Sequence, residues 1–412
     1  MHNPPANMRP HPDRPARNPR AAASSRLATV MARGASALAL LLAVAINPLS
    51  MRPFAGADGL SPPSVRLLLL LDLMLVVTAA LLLFVPRSRG VLLRLGLAIG
   101  LPLLAAELML RVFNPLGTSY FFDTPRYFAR TVPSEDFAYI HEAGARFTLT
   151  GVPFEINSDG LRGPEMEKPK PAGRRVLLLG DSVVLGYGVP VEDTFAARLR
   201  VMLAARGADI DIVAAGVGSW NTRTEREWLR ARGWALEPDV VVLVPVPNDV
   251  EPKTTGRTEV PHAELARARP PPAGMLQIAA SRSWLLTSIM HVARKRSAAA
   301  RTDDLHGGSS PAWRDQRLAF AGIALDCRRR HVPLIVFPFG PPEPAGDGRS
   351  SFRVAWSGAL REEGIPEHDL PAEAFEPGHH VSLTDPHPDA AAHALIAAAM
   401  LPAIEKALPV AP

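Results

Sequence analysis

Four stretches of the chain place side chains capable of chemistry where apolar runs stop. The first is RRVLLLGDSVVLGYGV, where a Val/Leu run ends at Gly180 and Asp181 and Ser182 follow at once. The others are GVGSWNT at Gly216–Thr222, PNDVEP at Pro247–Pro252 and TDPHPDAAAH at Thr384–His393. Short apolar runs that end at Gly read as buried parallel strands. Ser182 therefore belongs at the carboxyl end of a strand, where open α/β sheets hold their ligands. A hydroxyl in that place suits a nucleophile. Serine is weak at its free pKa and needs a neighbouring base. Any oxyanion it generates needs donors already in position.

The elements that must bring these stretches together follow a βαβα order from Arg174 onward. Strands are predicted at VLLLG, IDIVAAG, PDVVVLVPVP and VPLIVFPFG. Helices are predicted at EDTFAARLRVMLAARG, TRTEREWLRARG, Ala312–Arg330 and from near Asp389 to about Leu408. Strands alternating with helices imply an α/β, doubly wound (flavodoxin-like) parallel sheet covered on both faces. All four stretches would then meet on one sheet edge. Ahead of the sheet, residues 114–172 read as a linker and a small β-rich lead-in, with ARFTLTGV and PFEINSDGLRG alternating around turn residues. An insertion at about residues 251–310 is rich in Pro, Gly and charge. Within it MLQIAASRSWLLTSIMHVA reads as an amphipathic helix, either a lid over the site or a passive surface excursion.

These stretches resemble the SGNH (GDSL-type) serine hydrolases, and in particular their membrane-anchored bacterial members, over about residues 140–408. LLLGDSVVLGYGV matches the first block well, DPHP before a helix matches the last, and Asn248-Asp249 matches the third, although Pro245 or Pro247 stands where many members have glycine. The lead-in INSDGLRG also looks like theirs. The second block departs most: many members have Asn at the position of Ala214 and glycine at that of Ser219. The resemblance implies Ser182 as nucleophile, His387 as its base and Asp385 as the carboxylate that orients the imidazole. It implies an oxyanion hole from the Ser182 N–H, the Gly218 or Ser219 N–H and the Asn248 side-chain amide. A position that donates through its backbone tolerates any residue but proline, so Gly218 and Ser219 stay rivals. No cofactor or metal is required. The implied activity is a serine esterase acting on an acylated envelope glycan or lipid. An O-acyltransferase with the same site, or a catalytically silent envelope-binding protein, are the alternatives.

Other polar residues carry duller readings. Asp249 braces its loop, and His393 is structural at the start of the last helix. His379 and His380 are adjacent, so their side chains point apart and make no metal pair. Asp303 and Asp304 read as solvated loop charges. Tyr187 and Trp220 either line the cleft or pack. Cys327, the only cysteine, sits in an amphipathic helix and reads as buried and inert.

The chain has 412 residues and a formal net charge of +5, and six arginines fall between Arg9 and Arg33. The basic surplus is thus a local tail at residues 1–34, suited to anionic lipid, and no basic stripe with interleaved aromatics points to nucleic acid. Residues 35–113 hold three apolar segments, Gly34–Met51, Val65–Val85 and Val91–Phe113, read as three transmembrane helices. Glu107 and Arg111, four apart near the end of the third, can pair. Arg87, Arg89 and Arg94 flank the second connection, so arginine placement puts the amino terminus in the cytoplasm and everything after Phe113 outside a bacterial inner membrane. A signal peptide cleaved after Ala57 is the rival, and either reading exports the hydrolase-like part.

Overall fold

The computed structural model describes residues 91–114, 116–170, 173–207, 209–250, 282–290, 305–306, 310–342 and 350–408, together with parts of 30–51 and 69–80. The basic tail before residue 30, most of the 251–310 insertion, and with it Asp303 and Asp304, lie outside the described residues. The chain divides into two compact units, residues 1–113 and 114–412.

In the first unit, residues 36–44 and 72–80 are helical, and α1 spans Val91–Phe113. Arg111 Nε donates to Glu107 Oε1 at 2.7 Å, the i,i+4 pair its sequence anticipates. The rest of the first two apolar segments is outside the described residues. Among the described residues, the helix long and apolar enough to cross a membrane is Ala390–Ala407, which belongs to the second unit. That helix is packed into the core through Ala392, Ile396, Met400 and Ile404, which accounts for its apolar character.

The second unit is built on a four-stranded parallel sheet. Its strands are β5 (Arg174–Gly180), β6 (Ile210–Gly216), β7 (Val240–Val244) and β8 (Leu334–Val336), arranged β6-β5-β7-β8. Alternation along β5 explains why both faces are covered. Val176 and Leu178 pack with α4 (Phe195–Ala204) and α8 (Ala390–Ala407). Leu177 and Leu179 pack with α5 (Thr222–Ala231), α6 (Pro311–Arg329) and α7 (Ser351–Glu363). Each fully buried Val or Leu contributes about 1.5–3 kcal/mol, so the central strand is fixed from two sides. The doubly wound arrangement predicted from the strand–helix order is present.

The helices start where short polar side chains take up orphan backbone donors. Thr194, Asn221, Ser310, Ser350 and Asp389 accept from the N–H groups of Ala197, Thr224, Trp313, Arg353 and Ala392. Two elements were not legible beforehand. The sequence reading put no helix between the last strand and Asp389, yet α7 lies there between its Ser350 cap and a left-handed Gly364. The lead-in is not purely β either. Two hairpins, β1 (Thr131–Pro133) with β2 (Tyr139–His141) and β3 (Arg146–Leu149) with β4 (Val152–Glu155), follow a helix α2 (Ser119–Phe128). Pro125 and the crowded aromatics of SYFFDTPRYF mask its periodicity.

The register sets the site. Gly180 lies opposite both Gly216 and Val244, so β5, β6 and β7 end on one line. The short helix α3 (Ser182–Leu185) turns off β5 so close to β6 that a Cβ on Gly216 would stand 2.3 Å from the Leu185 nitrogen. Only glycine fits there.

Candidate active site

Asp181 and Ser182 begin α3. The Asp181 carboxylate accepts from the Val183 N–H at 2.9 Å, which fixes the turn and leaves Ser182 partly exposed at the sheet edge. The far end of α3 is held by Arg162 of the lead-in. Its guanidinium, 3.9 Å from the centre of the Phe154 ring, donates to the carbonyls of Gly186 (2.6 Å), Val189 (2.8 Å), Leu185 (3.1 Å) and Pro153 (3.3 Å). A cation at a helix end satisfies carbonyls that have no helical partner. The sequence marked INSDGLRG as part of the lead-in, but nothing in it announced that Arg162 braces the turn behind Ser182.

The loop before α8 carries the other two members. It folds back on itself, with the Val381 N–H donating to the His387 carbonyl at 2.8 Å and the Asp389 N–H to that of His379 at 2.9 Å. Thr384 ties it to the start of the lead-in through the Leu116 carbonyl. Asp385 is buried, and its Oδ1 accepts from both the His387 backbone N–H (3.1 Å) and its Nδ1 (2.6 Å). A carboxylate on Nδ1 keeps the proton there, so Nε2 presents its lone pair. Ser182 Oγ lies 2.8 Å from that Nε2. Residues 205 positions apart thus meet, and the three side chains that the resemblance singled out form a hydroxyl–imidazole–carboxylate series.

Electrostatics favour this arrangement. Burial works against a charged His387, but the hydrogen bond it donates to Asp385 and the charges of Asp385 and Asp181 outweigh it and raise the imidazole above its ordinary value. The Asp181 carboxylate is also 3.2 Å from Ser182 Oγ, a longer second acceptor beside the shorter contact to His387. Tyr187 and Tyr120 wall the imidazole, with ring centres 4.9 and 5.8 Å from it. Tyr187 therefore packs against His387, while Trp220 is buried in the core and donates to the Tyr139 carbonyl at 2.9 Å.

The two remaining blocks lie on the same edge. Asn248 sits four residues past the end of β7, in the turn Pro247–Val250, and its side chain has no hydrogen-bond partner among the described residues. Asp249 beside it is buried, and its Oδ2 accepts from the Val246 N–H and the Gln316 amide, both at 3.2 Å. It ties β7 to α6. In the second block the Gly218 N–H is committed to the Tyr127 hydroxyl at 2.5 Å, whereas the Ser219 N–H has no acceptor among the described residues. Ser219 is partly exposed, with φ at +60°, the left-handed region that favours glycine.

His393 is buried, stacks on Phe195 and accepts from its N–H at 3.1 Å, and burial pushes its pKa down to about 3. It is a neutral strut between α8 and α4. Cys327 is buried and its thiol is raised to about 12, so it does not ionise at neutral pH. His379 faces Asp389 at 3.5 Å, and His380 sits in a β-bridge with Pro388. Among the described residues no cluster of His, Cys, Asp and Glu is arranged to hold a metal.

With a hydroxyl on an imidazole lone pair, a carboxylate behind the imidazole and amide donors on the same edge, the site can carry acyl transfer through a covalent intermediate. Asn248→Ala is expected to slow such a reaction roughly 10²–10³-fold with little change in KM, as loss of one oxyanion donor does. Steady-state kinetics of the full chain check this, and an unchanged kcat removes Asn248 from the donor set.

No family model matches the chain, and no curated protein does. Among solved structures, the chain is similar to TesA at 16% identity, covering 57% of this chain and 100% of that one with a TM-score of 0.36. It is similar to the psychrotrophic esterase EstA from Pseudoalteromonas sp. at 15% identity, covering 57% and 97% with a TM-score of 0.35. It is also similar to AlinE4, an SGNH-hydrolase family esterase, at 19% identity, covering 58% and 98% with a TM-score of 0.29.

Proposed function

We propose that this chain is a serine esterase of the SGNH type, anchored in a bacterial inner membrane with its α/β unit outside, and that it removes acyl groups from an envelope glycan or lipid. The 2.8 Å contact between Ser182 Oγ and His387 Nε2, with Asp385 behind the imidazole, carries the chemical part of this reading. Ser182 attacks the ester carbonyl and its proton passes to His387. The protonated imidazole then gives that proton to the departing alcohol, leaving an acyl-enzyme, and water attacks by the same route in reverse. No step calls for a metal or an organic cofactor.

The anchor is supported by the three apolar segments and the arginines around them, including the 23-residue α1. The substrate class follows from that location. A site outside the membrane meets acylated polymers and lipids of the envelope, and an O-acetylated polysaccharide is the simplest of these. The test uses the purified full chain in detergent, supplied with an O-acetylated glycan and with esters of graded acyl length. Acetate release that disappears in Ser182→Ala is the expected result, with turnover falling as the acyl chain lengthens. Turnover confined to long-chain esters overturns the glycan reading. Acyl transfer to an added sugar in preference to water overturns the hydrolase in favour of the transferase.

A further inference from the structure

The lead-in does more than cover the sheet edge: two of its side chains, Tyr127 and Tyr139, grip the backbone of the second block. Gly218 has two peptide groups, one on each side of its Cα. The first carries the Gly218 N–H, which donates to the Tyr127 hydroxyl at 2.5 Å. The second joins the Gly218 carbonyl to the Ser219 N–H, and that carbonyl accepts from the Tyr139 hydroxyl at 2.7 Å.

Each proton in this cluster can be assigned from acceptor chemistry. His141 Nδ1 lies 2.9 Å from the Gly160 carbonyl, which can only accept, so Nδ1 carries the hydrogen. His141 is buried beside Arg162 and is held neutral, its pKa lowered to about 4 chiefly by burial, so Nε2 has a lone pair. That nitrogen accepts from the Tyr127 hydroxyl at 2.8 Å, and Tyr127 is left to accept from Gly218. The direction of the chain is fixed, from the Gly218 N–H through Tyr127 and His141 to Gly160.

Two consequences follow. The Gly218 N–H is used up in a buried bond and is not available to a substrate. The Gly218–Ser219 peptide is trans, so its N–H points away from the carbonyl that Tyr139 holds. A donor on the carbonyl also polarises the same peptide's N–H, since hydrogen bonds in series strengthen one another. Two further observations agree. Ser219 is held at φ +60°, a conformation unfavourable to a non-glycine residue that persists only where the surroundings impose it. A Cβ on Gly218 would stand 2.7 Å from the Tyr127 ring, so the block and the tyrosine are fitted to each other.

We propose that Tyr127 and Tyr139 are positioning residues for the oxyanion hole, locking the peptides on either side of Gly218 so that the Ser219 N–H is the backbone donor of the second block. The inference rests on the serine-esterase reading. It assigns a transition-state role to hydroxyls that touch no substrate.

The test is Tyr139→Phe and, separately, Tyr127→Phe in the purified full chain, each removing one oxygen. The readouts are kcat, KM and the inhibition constants of a series of phosphonate analogues of the tetrahedral intermediate. For both variants the expected result is a kcat about tenfold lower, smaller than the roughly 10²–10³ for deleting a donor itself. KM stays within twofold, and phosphonate affinity weakens in parallel with kcat. A variant that folds, judged by its unfolding temperature, and keeps wild-type kcat overturns the proposal. So does one that raises KM at unchanged kcat, since that marks a contact with substrate. If one replacement fails to fold, the other tests its side of the clamp. Failure of the underlying reading looks different: the wild-type chain itself would then hydrolyse no ester.

Discussion

Ser182→Ala is expected to lower ester hydrolysis by the full chain about 10⁶-fold in kcat, the size of loss seen when a triad's nucleophile is removed. The argument is geometric. Among the described residues Ser182 Oγ is the only hydroxyl on His387 Nε2, so its removal leaves the imidazole with nothing to activate on the acyl-enzyme route. What survives is the rate that the oxyanion donors give to direct attack by water, roughly 10³–10⁴ over the uncatalysed reaction. Because the three residues act as a unit, adding His387→Ala to Ser182→Ala should cost almost nothing further. The fold should not notice. Among the described residues the hydroxyl makes only the contacts to His387 and Asp181, and the Asp181 carboxylate keeps its bond from the Val183 N–H. Hydrolysis of a short-chain ester, together with mass-spectrometric detection of an organophosphonate adduct on the peptide bearing Ser182, measures both halves of the claim. Equal turnover by wild type and variant would end the esterase reading.

What the sequence made legible, and what it hid, divides along physical lines. The sheet was readable because the strands of a doubly wound fold are buried on both faces, and VLLLG and VVVLV hold nothing but apolar side chains. Ser182, Asp385 and His387 stood out because each lies where such a run stops or where a terminal helix starts, while the roles given to them come from the resemblance. Chain distance did not obscure them, since the carboxyl ends of parallel strands share an edge whatever joins them. The choice between Gly218 and Ser219 was not readable. It depends on which peptide N–H a tyrosine roughly ninety residues earlier has already taken, and a hydroxyl bonded to backbone leaves no periodicity. Tyr127, Tyr139, His141 and Arg162 share this character: each holds main chain. Such contacts specify a conformation without constraining the residue type of their partner. The helix α2 was hidden for another reason. Its aromatics serve the site instead of one apolar stripe, as Tyr120 shows by lying against His387.

The carboxylate at Asp385 admits a sharper prediction because its two oxygens live in different surroundings. Oδ1 accepts both the Nδ1–H and the backbone N–H of His387, while Oδ2 is buried with no partner among the described residues. In Asp385→Asn, an amide oxygen placed at Oδ1 keeps both bonds, and the amide NH₂ falls in the place of Oδ2. The imidazole then keeps its tautomer and its aim at Ser182, but it loses the negative charge that stabilises it when it takes the serine proton. Replacement should therefore lower kcat by about 10²–10⁴, the span that positioned acid–base catalysis supplies. The pH profile should move as well, and the sign is fixed by the causes. In the wild-type chain the raised pKa means that activity is lost as pH falls through a value above the ordinary 6.5, where Nε2 becomes protonated. Without Asp385 the largest influence left is burial, which disfavours the imidazolium. The acidic limb of kcat/KM should accordingly shift to lower pH even as the plateau drops. A pH–rate series on both proteins reads the two effects separately. A lowered plateau with an unmoved limb would mean that Asp385 acts by holding geometry alone, and a limb displaced upward would contradict the arrangement of charges around His387.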